Sequence, residues 1–120
     1  MNILYLSHLS GASYAGPTYS VPKQIEAQAK LDNVFWYNAV KNSKKEWRKY
    51  SYYHDLEEYP KETIAELPKP FNHPDIIIVE LFYNMTKSPL IKELIKIDVP
   101  YVIIPRGELT TQGQSRKSLK

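Results

Sequence analysis

The sequence predicts an α/β fold built on an open parallel sheet with helices on both faces, and three observations point there. Two runs without polar alternation, Ile3-Leu4-Tyr5-Leu6 and Ile76-Ile77-Ile78-Val79, read as strands covered on both faces, which is how strands of a parallel sheet read. Segments with helical spacing follow each of them. The order strand, helix, strand, unassigned unit, strand, helix, strand then calls for right-handed crossovers between parallel strands.

Taken in order, the first strand runs into a polar stretch holding Ser7, His8, Ser10, Gly11, Ser13 and Gly16. A helix follows from Thr18 or Ser20, with a hydroxyl cap, Pro22 in its first turn, and Val21, Ile25 and Ala29 four residues apart on one face. Asp32-Asn33 ends it. Val34-Phe35-Trp36-Tyr37 supplies the β-branched and aromatic types of a second strand. From Lys41 to Pro74 no period is sustained. A short edge strand near Tyr50 to Tyr53 and a short helix from about Pro60, stopped by Pro68-Lys69-Pro70, are the assignments made there. The central strand at Ile76 to Val79 leads to a helix between Ser88 and Asp98, capped by Ser88 with Pro89 at its first position. Tyr101-Val102-Ile103-Ile104 is the last strand.

At 120 residues the chain fits a single domain over residues 1–120. Its 42% hydrophobic and 24% charged residues are globular proportions. The absence of cysteine excludes a disulfide scaffold, a thiolate metal site and a cysteine nucleophile. A net charge of +3, with basic residues spread along the chain and the 41–49 cluster interrupted by Glu46, predicts a solvated face first and an attraction for phosphates or an anionic membrane surface second, with no nucleic-acid partner. The start has no basic, long apolar leader and no later segment has the apolar length of a membrane span, so a cytoplasmic chain is expected.

In open α/β sheets the ligand crevice lies beyond the carboxyl ends of the strands, where strand order reverses. With the order three-two-one-four-five, that crevice falls between the strands of Ile3 to Leu6 and Ile76 to Val79. Its rim is then residues 7–18, 80–86 and 105–113. The run from Gly11 to Thr18 approaches the Walker A pattern, but Pro17 stands where its lysine should be and removes a backbone donor, which argues against ATP hydrolysis. A small-residue loop opening onto a helix can still accept a phosphate or a sugar hydroxyl, or its glycines can serve turn geometry alone. Arg106, directly after the last strand, can clamp a phosphate or carboxylate, or pair with Glu80 or Glu108. His8 is a candidate acid, base or phosphate donor. His54 and His73 have no metal-ligand spacing, so no metal site is expected.

The start Asn2 to Ser7, the loop through Gly16-Pro17, the run Pro74 to Val79, and above all Val99-Pro100-Tyr101-Val102-Ile103-Ile104-Pro105-Arg106-Gly107-Glu108-Leu109 resemble the amino-terminal domain of family 4 glycosyltransferases of the GT-B fold. The likeness spans nearly the whole chain and is closest to bacterial members that build surface polysaccharides. It implies a Rossmann-like, acceptor-side half of a retaining enzyme that moves a sugar from a nucleotide-sugar donor to a saccharide or lipid-linked acceptor, without a cofactor or required metal. By this resemblance Gly16 and Pro17 face the donor phosphates, while Arg106, Gly107, Glu108, Glu80, Tyr83 and His8 form the acceptor-side rim. Family members often carry a histidine shortly after the central strand. Here Glu80-Leu81-Phe82-Tyr83 occupies that stretch, so that role has no carrier. The family's second domain, with its E-x7-E motif, has no counterpart in these residues. The resemblance thus implies a part of a longer enzyme, inactive alone, with peripheral contact at the inner face of the membrane. The competing expectations are a stand-alone flavodoxin-like or degenerate P-loop mononucleotide module, and a non-catalytic interaction domain acting through the aromatic region from Trp47 to Tyr59.

Overall fold

Along the strands Asn2–Ser7, Asn33–Asn38 and Ile76–Leu81, period-two alternation sorts the side chains into two largely apolar layers, both covered, whereas Tyr101, Val102 and Ile103 of the last strand are exposed. The computed structural model describes residues 1–9, 17–41, 45–81 and 87–105. Its strands are β1 (Asn2–Ser7), β2 (Asn33–Asn38), β3 (Tyr53–Asp55), β4 (Ile76–Leu81) and β5 (Tyr101–Pro105), with helices α1 (Pro17–Ala29) and α2 (Pro89–Lys96). All pairings are parallel in the order β3-β2-β1-β4-β5. The expected α/β fold and its strand order are both present, with β1 and β4 adjacent where the order reverses.

On one face Ile3, Tyr5, Val34, Trp36 and Tyr53 pack beneath Val21 and Ile25 of α1. On the other, Leu4, Leu6, Phe35, Tyr37, Ile77 and Val79 pack against Leu90 and Leu94 of α2. Most of these side chains are fully buried, and each such aliphatic or aromatic group contributes about 1.5–3 kcal/mol relative to exposure. Ser88 caps α2 as the sequence predicts: its Oγ accepts from the Leu90 N–H at 3.1 Å, and Pro89 needs no partner at the first position. Helix α1 begins at Pro17, earlier than expected, so Pro22 lies one turn further in than the first-turn position predicted for it.

The two short elements of residues 45–74 differ from expectation because tertiary packing decides them. The edge strand falls at Tyr53–Asp55, while Trp47, in a 3-10 turn over Lys45–Lys49, is buried against Trp36 at a ring separation of 5.2 Å. The helix expected from Pro60 is a 3-10 turn at Ile64–Glu66. There Glu93 of α2 accepts from the backbone N–H of Ile64 at 2.7 Å and of Ala65 at 3.1 Å, supplying from outside what a helix start leaves unsatisfied. Ile64, Leu67 and Phe71 then fill the α2-side layer. Among the described residues no helix is long and apolar enough to cross a membrane.

Candidate functional site

The three inner strands β2, β1 and β4 and the edge strand β3 each carry a polar residue on the α1 face near the carboxyl end. The register sets these residues side by side at the carboxyl edge. Asp55 pairs with Asn38, Asn38 with Ser7, and one step beyond the Leu6–Val79 pair stands Glu80. Beneath this row, two residues earlier in each strand, lie Tyr53, Trp36, Tyr5 and Ile78. All four polar side chains are fully buried, so each requires hydrogen-bonding or charge compensation at its place.

Asn38 sits at the centre of the row and uses its whole amide. Its Oδ1 accepts from Ser7 Oγ and from the Leu9 backbone N–H, both at 2.7 Å; its Nδ2 donates to the Leu9 carbonyl at 2.9 Å and to Tyr53 Oη at 3.3 Å. Ser7 Oγ in turn accepts from the Trp36 indole N–H at 2.8 Å. The Ala39 N–H donates to the Ser7 carbonyl at 2.8 Å, carrying the β1–β2 ladder past the strand ends. The chain leaving β1 is therefore held at both backbone groups of Leu9. His8, half-buried, stands between two anchored residues just beyond the carboxyl end of β1.

Charge is concentrated at both ends of the row. Asp55 accepts at Oδ2 from Arg48 at 2.8 Å and from the Tyr53 hydroxyl at 3.2 Å, and at Oδ1 from the Glu57 N–H at 2.9 Å. Arg48 also reaches Glu57 at 3.0 Å. At the other end Glu80 lies at the β1–β4 junction where the crevice opens. Burial, and next the negative charge of Glu80, push the Tyr5 hydroxyl up to about 12. The row ties the chain leaving β1 to the sheet edge through both backbone groups of Leu9.

Of the residues predicted for the site, Glu80 and His8 are at this edge, and Pro17 is the first residue of α1. Gly16, Tyr83, Arg106, Gly107 and Glu108 lie outside the described residues. Sequence reasoning missed Asn38, Asp55 and Arg48. The available signal was a lone polar residue closing each apolar or aromatic run, as in Trp36-Tyr37-Asn38, at a shared register. In the aromatic region Trp47 and Tyr53 are buried, and Tyr50, Tyr52 and Tyr59 are half-buried against the core. His54 is stacked on Phe35 at 4.0 Å and bonded to Glu58 at 2.9 Å. Among the described residues no group of three His, Asp or Glu side chains is placed to hold a metal ion. This chain matches no protein-family model, no curated protein and no solved structure.

Proposed function

We propose that this domain is the acceptor-side half of a retaining glycosyltransferase, which moves a sugar from a nucleotide-sugar donor to a saccharide or lipid-linked acceptor in bacterial surface polysaccharide synthesis. The observation that carries the reading is the buried row Asp55, Asn38, Ser7 and Glu80 at the carboxyl edge, in a sheet whose β1–β4 junction is the switch point. Its support from sequence is the run Val99 to Leu109. In this reading acceptor hydroxyls are met at the rim by half-buried His8, with buried Glu80 behind it, and Asn38 fixes the chain on either side of His8. The amino terminus of α1 offers its positive dipole end, and the backbone N–H groups that follow Pro17, to the leaving diphosphate. Transition-state charge is then stabilised by groups already in place, the term that usually dominates such catalysis.

The strand order also weighs against the flavodoxin-like alternative, in which β1 lies between β2 and β3. The test is an amide-shift titration of the chain with oligosaccharides, nucleotide sugars, FMN and ATP. Saccharides should move the resonances of Ser7, His8, Leu9 and Glu80, without turnover. Tight FMN or ATP binding, or sugar transfer by these 120 residues alone, would contradict the proposal.

A further inference from the structure

On the opposite face, away from the buried row, the turn before the Ile64–Glu66 segment and helix α2 enclose an open cleft of about 280 Å³. Lys61, Glu62, Thr63, Lys92, Glu93 and Lys96 line it. Lys92 and Lys96 are four residues apart and share a helix face, with Lys61 across the cleft. Both carboxylates are engaged by protein donors. Glu93 accepts from Thr63 Oγ1 at 2.9 Å besides the Ile64 and Ala65 amides, and Glu62 accepts from Ser88 Oγ. Among the described residues, none of the three ammonium groups has an ion-pair partner.

A second observation marks the same place. Glu62 has φ of 54°, the left-handed region that strains a residue with a Cβ, and it is held there by its bond to the cap of α2. Its carboxylate accepts from Ser88 Oγ and has no lysine within ion-pair distance among the described residues. Three cations, two committed carboxylates and a cleft near the lower limit of ligand pockets, roughly 300 Å³, suit a compact dianion with a small attached group. A whole nucleotide sugar is too large.

We propose that this cleft is a phosphate-ester site, in which Lys61, Lys92 and Lys96 surround the phosphate oxygens. It is separate from the carboxyl-edge crevice and does not depend on the glycosyltransferase reading. The phosphate can belong to a soluble ester or to a lipid headgroup.

The experiment titrates the full chain with inorganic phosphate, following backbone amide shifts, and in parallel measures cosedimentation with phosphatidylglycerol–phosphatidylcholine vesicles against pure phosphatidylcholine. Saturable shifts at Thr63, Lys92 and Lys96 are expected. K92Q and K96Q should each weaken the response about tenfold, the loss of one charge-assisted contact. K23Q and K30Q, on and just after α1, should change nothing. Vesicle binding lost in K92Q and K96Q identifies the lipid headgroup; phosphate shifts without vesicle binding identify the soluble ester. The proposal is overturned by no response to either probe, by equal binding to pure phosphatidylcholine, by K92Q and K96Q binding as the native chain does, or by equal weakening in K23Q and K30Q.

Discussion

Replacing Asn38 with alanine tests the role of the buried row. The amide makes three short contacts, to Ser7 Oγ and to the Leu9 N–H and carbonyl, and one longer contact to Tyr53 Oη. N38A leaves the Ser7 hydroxyl and both Leu9 backbone groups to find new partners. At about 1 kcal/mol net for each short contact, the loss is about 3 kcal/mol, a large fraction of the roughly 5–15 kcal/mol that holds a domain folded. Asn38→Asp makes a sharper contrast. It keeps an acceptor, removes both donors and places a carboxyl next to Asp55 in the register. Burial beside that charge raises the introduced carboxyl's folded pKa above its unfolded value of about 3.9. The ionic penalty is thus absent below about pH 3.9 and grows as pH rises through the folded value. Urea denaturation of the native chain, N38A and N38D at several pH values is the assay. An N38A loss below about 1 kcal/mol, or an N38D deficit that does not grow with pH, would refute the clamp.

R48A strips the half-exposed cation from buried Asp55, which keeps the Tyr53 hydroxyl and Glu57 amide; a loss of about 2 kcal/mol by urea denaturation is expected, and one below about 0.5 kcal/mol would show that the pair is merely superficial. Among the described residues the buried Tyr52 hydroxyl has no hydrogen-bond partner while its ring stacks on Tyr50 at 5.3 Å, so Y52F should match the native chain or exceed it by up to about 1 kcal/mol; clear destabilisation would reveal a partner for that hydroxyl. Burial pushes Tyr5 and Tyr52 up to about 12, against about 10 when unfolded. Their contribution is therefore fully present below about pH 10 and is lost as pH rises toward 12. An ultraviolet titration should show exposed tyrosines ionising first and these two only at higher pH or on unfolding; all tyrosines ionising together near pH 10 with native circular dichroism would contradict the burial.

The parts of the fold legible in the sequence are those where one local rule dominates. Ile3 to Leu6 and Ile76 to Val79 have no polar alternation, as in strands covered on both faces; Ser88-Pro89 before Leu90 and Leu94 specifies a cap and an apolar helical face at once. Residues 45–74 lack such agreement. Tyr53 enters the sheet because Trp36 and Trp47 form its pocket, at 4.7 and 6.0 Å between rings, and Ile64 begins a 3-10 turn because Glu93, distant in sequence, supplies its acceptor. Neither partner is visible in a local window. The same holds for the site. Glu80 is named from sequence because it lies on the expected carboxyl-end rim, whereas Asn38 and Asp55 look like ordinary strand-ending residues until the register places Asn38 between Ser7 and Asp55.

The central claim is that this chain is the acceptor-side part of a sugar-transferring enzyme, and the most direct measurement is made on the native gene product. Antibody raised against the 120 residues would recover that product from its source cells for mass determination and for a labelled-sugar transfer assay. The account predicts a mass well above 14.0 kDa and transfer from a nucleotide sugar to a saccharide or lipid-linked acceptor. A product of 14.0 kDa that transfers no sugar and binds a mononucleotide tightly would contradict it.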